Sequence, residues 1–256
     1  MPGPQRNMIQ TYPDKLSMSA AAARHAAARL SDQLRAKETV RIVAATGASQ
    51  LLFLEELARE HSLDWHRVEL FHLDEYIGIG QDHPASFARY IRERIIQPLN
   101  IRRYHLLDGL QDPQHVIRNA NALIHSAPVD LAFVGIGENA HLAFNDPPAD
   151  FEIEDPYIIV ELDRACRQQQ VNEGWFPTID DVPKRAISMS VRQILKSGEI
   201  LCVVPGRQKA SAVKASLDGP VTPQVPASVL QTHPSVSMFL DADSASQLTQ
   251  PPSIEK

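Results

Sequence analysis

The chain has 256 residues and a formal net charge of −6; 43% of its residues are hydrophobic and 22% are charged. These values are typical of a globular protein that buries a core, in one large α/β domain or two small ones. An acidic chain without a long basic run does not indicate nucleic acid as the main partner, although a few placed groups could still hold a small anion.

Targeting signals and membrane spans are not indicated by the sequence. The N-terminus lacks the apolar core of a signal peptide, and no stretch approaches the roughly 18 apolar residues of a membrane span. The two cysteines, Cys166 and Cys202, lack metal-ligand spacing and are too few for a disulfide framework. We therefore expect a cytoplasmic protein with no membrane partner.

An arm and a long helix are predicted at the start of the chain. Three prolines within residues 1–14 predict an extended N-terminal arm. Residues 15–36 are rich in Ala, Leu and Arg and predict a helix, whose start Ser17 or Ser19 could cap.

Apolar strands then alternate with helices. Strands are predicted at 39–45, 68–73, 130–134, 157–162, 200–204 and 236–240. Helices are predicted at 50–59, 86–96, 114–125, 191–197, 205–216 and 227–231. Because short apolar strands bounded by loops favour parallel pairing, we predict a single α/β domain over 15–249. Its expected form is Rossmann-like: an open, doubly wound, mostly parallel sheet with helices on both faces.

Two segments lack this pattern. Residues 163–181 are polar and predict an irregular loop, which could be a lid and which carries an exposed-looking Trp175-Phe176-Pro177. Residues 250–256 predict a frayed tail.

The Gly-rich run over 135–147 directly follows a predicted strand and carries a histidine. Glycines such as Gly137 allow the backbone to approach a ligand closely. His141 could move a proton at neutral pH, with Asn139 or Asp146 orienting its ring. A lone histidine is more often structural, but polar neighbours at a strand exit favour a catalytic role.

Adjacent carboxylates, Asp74 and Glu75, follow the strand predicted at 68–73. A partly buried carboxylate has a raised pKa, and one of the two could therefore act as a general base on a carbon acid. The alternative is a solvated turn, in which Glu75 caps a helix or pairs with an arginine.

Two further strand exits could hold an anion. Thr46, Gly47, Ala48 and Ser49 lie between a strand and a helix, where backbone N–H groups and hydroxyls could cradle a phosphate or form an ordinary helix cap. Lys209 opens another helix and could meet a phosphate as a point charge or lie solvated on the surface. The histidines lack the spacing of a zinc site, so no metal is predicted.

Together these segments resemble the glucosamine-6-phosphate deaminase/isomerase family, which also includes 6-phosphogluconolactonases. Residues 73–78 resemble the family's Met-Asp-Glu-Tyr-Val-Gly motif, 83–86 its His-Pro-Glu-Ser, and 228–234 its Ser-x-Leu-Gln-x-His-Pro. The run over 135–147 ends in Ala-Phe-Asn-Asp-Pro, which is similar to the deaminase branch rather than to the lactonases.

The resemblance implies a set of roles. Thr46 to Ser49 and Lys209 would bind the sugar phosphate, with Glu75 and Gly137 as further substrate contacts. Asp74 would move a proton between C2 and C1, and His141 would assist ring opening, after which C2 loses ammonia. No cofactor is implied. The expected partner is a small-molecule sugar phosphate; a homo-oligomer is compatible with the family, whose members range from monomers to hexamers.

The chain departs from the family pattern at several positions. Asn139 stands where deaminases carry Asp, Ala140 where they carry Gly, and Asp146 where they carry Glu. Asn can accept a hydrogen bond from imidazole but brings no charge to stabilise an imidazolium. A simple alignment places Gln170 at the family's phosphate-binding arginine, and Arg167 is the candidate substitute.

Three alternatives to a glucosamine-6-phosphate deaminase stay open. Asn139 is similar to the residue of some galactosamine-6-phosphate isomerases, so the epimer is not decided. A lactonase is disfavoured by Asp74 and its motif. A catalytically weakened sugar-phosphate sensor is favoured by Asn139, and disfavoured by the presence of Asp74 and His141.

Overall fold

Parallel strands form the centre of the structure, a computed structural model that describes residues 8–47, 49–60, 62–250 and 254–255. In the described part of the chain the strands are β1 (Met8–Tyr12), β2 (Val40–Ala44), β3 (Val68–His72), β4 (Asp74–Tyr76), β5 (Arg103–His105), β6 (Leu131–Val134), β7 (Tyr157–Glu161), β8 (Arg185–Met189), β9 (Glu199–Val204) and β10 (Val236–Asp241). Seven of them form a parallel sheet in the order β1-β10-β9-β6-β2-β3-β5.

Helices follow most of these strands. They are α1 (Lys15–Ala36), α2 (Leu51–Leu57), α3 (Phe87–Ile91), α4 (Gln97–Leu99), α5 (Pro113–Ile124), α6 (Arg164–Asn172), α7 (Val191–Leu195) and α8 (Ala210–Asp218). A π-helical turn, Arg92–Ile96, joins α3 to α4, and 3₁₀ turns cover Trp65–Arg67, Arg207–Lys209 and Pro226–Thr232. Among the described residues, no helix is long and apolar enough to cross a membrane.

Side chains of the central strands alternate between two cores, one on each face of the sheet. On β2, Ile42 packs in a core with α1 and α2, while its neighbour Val43 packs in a second core with α5, α7 and α8. A strand that is buried on both faces in this way requires helices on both sides. The predicted doubly wound, mostly parallel α/β fold is therefore confirmed.

The N-terminal segment differs from the predicted arm. Residues 8–12 form β1, which pairs in parallel with β10 at the edge of the sheet, and residues 1–7 lie outside the described part. The tail predicted to fray over 250–256 contributes here, because the Glu255 N–H donates to the Thr11 carbonyl (2.8 Å); residues 251–253 and 256 lie outside the described part. Flanking prolines conceal this short strand in the sequence.

The start of α1 is capped by Asp14 and not by either serine. The Asp14 carboxylate accepts from the N–H groups of Leu16 and Ser17, both at 2.9 Å, and so satisfies two of the free donors at the helix start. Ser17 lies inside the first turn, and its hydroxyl donates back to the Asp14 carbonyl.

A second, smaller sheet lies beside the carboxyl ends of the main strands. It is antiparallel, in the order β4-β8-β7. The prediction of an irregular loop over 163–181 is wrong for the first half of that segment, which forms α6. Phe176, which the sequence predicts to be exposed, is buried. Phe176 packs with Tyr76, Phe87 and Phe144 in a third core, which we call the aromatic core after these four rings. This core holds α6 against the end of the main sheet.

Candidate active site

A cleft opens at the carboxyl ends of four adjacent strands, β9, β6, β2 and β3. From β2 the chain runs outward to β3 and β5, whereas from β6 it runs the opposite way to β9 and β10. Open α/β sheets bind ligands at such a reversal of strand order. The residues that line the cleft include most of the predicted site residues, namely Thr46, Gly47, Ser49, Asp74, Gly137, His141 and Lys209.

Asp74 lies where β3 ends and β4 begins, and its side chain faces the cleft. Only 6% of the residue is exposed. Burial, and next the charge of Glu75, raise the pKa of Asp74 to about 8. A carboxyl group with such a pKa is close to the working range of a general base at neutral pH.

Glu75 points away from the cleft, and the prediction that it contacts the substrate is wrong. Its carboxylate accepts from the Ser86 hydroxyl (2.9 Å) and from the backbone N–H groups of Ala88 (2.8 Å) and Tyr76 (2.9 Å). It therefore caps the start of α3, which is the alternative that the sequence left open. Burial raises its pKa to about 7, although these hydrogen bonds oppose the shift.

The His141 ring is held by Asp146. Nδ1 of His141 lies 3.1 Å from Oδ1 of Asp146, so an Nδ1–H donating to the carboxylate leaves Nε2 free for a ligand. Gly137 lies directly beneath the ring, and a Cβ at that position would overlap it. The glycine is therefore required by the close approach of the imidazole.

Asn139 supports Asp146 and makes no contact with the imidazole nitrogens. Its Nδ2 donates to Oδ1 of Asp146 (2.9 Å), and its Oδ1 accepts from the backbone N–H of His141 (3.1 Å). The backbone N–H of Asp163 donates to the other Asp146 oxygen (3.0 Å). Burial would raise the pKa of Asp146, but the bonds from His141, Asn139 and Asp163 outweigh it and hold the pKa below its ordinary value. The charge beside the imidazole thus comes from Asp146.

The loop that carries His141 contains two alanines in left-handed backbone conformations. Ala140 has φ +66° and Ala143 has φ +53°, a region that costs a residue with a Cβ about 1–2 kcal/mol. Ala140 also donates its N–H to Gly137 and accepts from the N–H of Ala227, which fixes the turn. Backbone strain of this kind is common at functional sites.

The loop after β2 forms the floor of the cleft. Gly47 has φ +100°, which glycine tolerates, and the buried hydroxyl of Thr46 has no hydrogen-bond partner among the described residues. Gly135 lets this loop approach β6, because a Cβ there would lie 2.7 Å from Nε2 of Gln50. Ala48, predicted with this loop, lies outside the described residues.

Lys209 supplies a buried cation at the end of β9. It lies in the 3₁₀ turn before α8, lines the cleft and is only 2% exposed. Burial lowers its pKa, while the charges of Glu173 and Glu138 act in the opposite direction. A buried ammonium is costly without a partner, so an anion in the cleft would be strongly favoured.

The wall opposite the strand exits comes from α6, a helix that the sequence analysis did not predict. Gln169, Gln170 and Glu173 line the cleft, and Oε1 of the buried Gln170 has no hydrogen-bond partner among the described residues. The spacing 166, 169, 170 and 173 marks one helix face and could have revealed this wall. The prediction that Arg167 binds the phosphate is wrong. Its guanidinium donates to the Ile179 carbonyl (3.2 Å), and its side chain does not line the cleft.

Known proteins share this architecture and these segments. The family model described as glucosamine-6-phosphate isomerases/6-phosphogluconolactonase matches residues 13–238. A glucosamine-6-phosphate deaminase of Streptococcus agalactiae is 35% identical over 205 residues, which cover 80% of this chain and 86% of that protein. A Streptococcus pneumoniae protein of the same name is 36% identical, over 80% of this chain and 85% of its own.

Solved structures agree with the sequence comparisons. A monomeric glucosamine-6-phosphate deaminase superposes with a TM-score of 0.86 at 30% identity, covering 93% of this chain and 99% of its own. The 6-phosphogluconolactonase of Thermotoga maritima shares the fold, with a TM-score of 0.77 at 18% identity, over 92% of this chain and 100% of its own. The chain therefore belongs to the glucosamine-6-phosphate isomerase/6-phosphogluconolactonase family.

Proposed function

We propose that this protein is a glucosamine-6-phosphate deaminase, which converts glucosamine-6-phosphate and water to fructose-6-phosphate and ammonia. One observation carries the proposal: a buried carboxyl group, Asp74, and a hydrogen-bonded pair, His141 and Asp146, lie beside a buried cation, Lys209, at one cleft. The deaminase names of the relatives support the same activity.

The sugar phosphate is oriented by the groups that bind its phosphate. Lys209 and the hydroxyl-bearing loop of Thr46, Gly47 and Ser49 offer an ammonium, hydroxyls and backbone N–H groups to the phosphate. This anchoring directs C1 and C2 of the sugar toward Asp74 and His141. A role for Ala48 in this loop stays a prediction.

His141 opens the pyranose ring. Its Nε2 faces away from Asp146 and is available to exchange a proton with the ring oxygen of the sugar, while Asp146 holds the imidazole in this orientation. Asn139 takes part indirectly, by holding Asp146 in place. Ring opening produces the acyclic aldehyde, which makes the hydrogen on C2 acidic.

Asp74 then transfers the proton from C2 to C1. As a carboxylate it removes the C2 hydrogen while the ammonium group of the substrate gives a proton to the aldehyde oxygen, which yields an enolamine. As the acid it then returns the proton to C1. The resulting imine at C2 adds water and releases ammonia, which completes the balance of atoms. The raised pKa of Asp74 suits a group that must both accept and donate a proton.

A galactosamine-6-phosphate isomerase is the second candidate, because Asn139 stands where the family's deaminases carry Asp. Asn139 donates to Asp146 and contributes no charge of its own. The two candidates differ only in the configuration of one hydroxyl of the substrate. A cytoplasmic location stays a prediction, as does a homo-oligomer, since the solved relative is described as monomeric.

Ammonia release from the purified protein tests the proposal. Glucosamine-6-phosphate, galactosamine-6-phosphate and 6-phosphogluconolactone are supplied in parallel, with lactone hydrolysis followed separately. We expect ammonia from the gluco sugar. Ammonia only from the galacto sugar would establish the second candidate, and lactone hydrolysis without ammonia release would contradict both.

A further inference from the structure

A cysteine completes a group of metal-ligating side chains at the edge of the cleft. The Cys166 thiol, on the first turn of α6, joins His141 and Asp146, and one ligand atom of each lies within 4.8 Å of the other two. The thiol is free, and the residue is only 1% exposed. Histidine spacing in the sequence does not indicate this group, because α6 brings the cysteine in from a separate segment.

The three side chains are fixed by a shared set of hydrogen bonds. The backbone N–H of Cys166 donates to Oδ1 of Asp163 (2.6 Å), and the backbone N–H of Asp163 donates to Oδ2 of Asp146 (3.0 Å). Oδ1 of Asp146 faces Nδ1 of His141. The helix that carries the thiol is thus bonded directly to the carboxylate that holds the imidazole, and the group is ordered before any ion arrives.

The chemistry of the donors selects a class of cation. One imidazole nitrogen, one thiolate and one carboxylate oxygen form a donor set that Zn²⁺ and similar borderline-soft divalent cations prefer over Mg²⁺ or Ca²⁺. With metal–ligand bonds of roughly 2.0–2.3 Å, tetrahedral ligands stand about 3.3–3.8 Å apart. The group must therefore contract by at most about 1.5 Å to bring all three ligand atoms onto one cation.

We propose that His141, Asp146 and Cys166 form a binding site for a thiophilic divalent cation such as Zn²⁺, and that the bound cation inhibits the enzyme. On binding, the thiol proton goes to solvent and the ring proton moves from Nδ1 to Nε2. A thiolate, a carboxylate and a neutral imidazole nitrogen then face the cation. The bond between His141 and Asp146 is broken, so His141 can no longer exchange a proton with the sugar.

Binding of the cation is independent of the proposed function, whereas inhibition rests on it. Co²⁺ is the first probe, because a cobalt–thiolate bond gives a charge-transfer band in the near ultraviolet. We expect one Co²⁺ per chain with this band in the wild-type protein. Cys166→Ser should lose the band and bind at least about tenfold more weakly, because losing a direct ligand costs no less than the roughly 10–100-fold known for residues that only support a ligand.

Cys202→Ser is the matched control, because Cys202 is a free buried cysteine in β9, away from the group. It should keep the band. Cys166→Ala provides a second thiol-free variant, and near-ultraviolet circular dichroism checks that each variant folds. No bound Co²⁺, a band that persists in both Cys166 variants, or a band lost in Cys202→Ser would overturn the site.

Zn²⁺ inhibition provides the second measurement. Cys166 touches no substrate in the proposed mechanism, so Cys166→Ser should keep its basal ammonia release and need at least about tenfold more Zn²⁺ for half inhibition. Equal Zn²⁺ sensitivity in the wild type and in Cys166→Ser would overturn the inhibitory role. A protein that binds Co²⁺ through Cys166 but releases no ammonia would retain the site and refute the deaminase.

Discussion

The cleft has two walls of different origin. The strand exits after β2, β3, β6 and β9 supply Thr46, Asp74, His141 and Lys209, and the main sheet fixes their positions. The opposite wall is a face of α6, which is held by the aromatic core and by hydrogen bonds to Asp146. The proposed reacting groups therefore lie on the wall formed by the strand exits of the main sheet, which we call the rigid wall, whereas the α6 wall changes the charge around the ligand site.

The largest expected effect comes from removing the proposed base, Asp74, on the rigid wall. Asp74→Asn cannot accept a proton from carbon, so ammonia release should fall by about 10²–10⁴-fold, the usual contribution of a general base. The release rate under saturating sugar phosphate measures the loss. A variant that keeps more than a tenth of the wild-type rate would show that another group removes the C2 proton.

Lys209→Met tests the binding role of the same wall. Loss of a charge-assisted hydrogen bond of about 1.5–3 kcal/mol should raise KM for the sugar phosphate by roughly 10–100-fold, with a smaller effect on kcat. Arg207→Met is the matched control, because Arg207 lies in the same 3₁₀ turn but is exposed. Similar KM values for the two variants would refute Lys209 as a phosphate ligand.

The pH dependence of kcat/KM follows from the raised pKa of Asp74, about 8. Only the carboxylate can take the C2 proton, so kcat/KM should fall as pH is lowered through this value, by about tenfold per pH unit below it. Glu75→Gln removes a neighbouring charge that contributes to the shift and should move the inflection to lower pH. An inflection near the ordinary carboxyl value of about 4 would contradict the burial argument.

Removing a charge from the α6 wall should change KM in the opposite direction from removing the charge of Lys209. Glu173 lines the cleft, and its charge acts on Lys209, so it repels an incoming phosphate. Glu173→Gln should lower KM by about fivefold, equivalent to about 1 kcal/mol for a partly solvated charge. Glu152→Gln, the same change at a side chain that is 88% exposed, should leave KM unchanged. A higher KM in Glu173→Gln would mean that this carboxylate contacts the substrate.

The smallest effect concerns the stability of the His141 loop. Ala140→Gly removes the strain of a left-handed conformation, but glycine also gives the unfolded chain more conformational entropy, which opposes the gain. We expect the free energy of unfolding to rise by up to about 1 kcal/mol. Ala28→Gly, at an exposed position inside α1, should lower it by about 1 kcal/mol. Urea unfolding of both variants measures the difference. Equal destabilisation would show that the loop carries no strain.

The rigid wall could be predicted because its signals are local. A strand followed by glycines and polar side chains identifies Asp74 and His141 from adjacent residues. Alternation along a strand could also have separated Asp74 from Glu75, because neighbouring side chains of β4 point to opposite faces. The sequence analysis predicted that both carboxylates contact the ligand, because it did not predict the short strand β4.

The α6 wall could not be predicted because it depends on tertiary packing. The polar helix has few apolar residues to mark its period, and its order comes from the core around Phe176 and from the cap at Asp163. Arg167 was favoured for its charge, yet it lies about 100° around the helix from Cys166, off the face that meets the cleft. The meeting of Cys166 with His141 and Asp146 arises from the same packing.

Binding of glucosamine-6-phosphate to Asp74→Asn tests the central claim most directly. The inactive variant can be titrated with the substrate itself by calorimetry. Because the raised pKa keeps Asp74 mostly protonated at neutral pH, the neutral amide changes the charge of the cleft little. The account predicts a Kd within about threefold of the value for Asp74-containing enzyme, less than 1 kcal/mol. A Kd that rises in step with the lost activity would contradict the assignment of Asp74 to proton transfer.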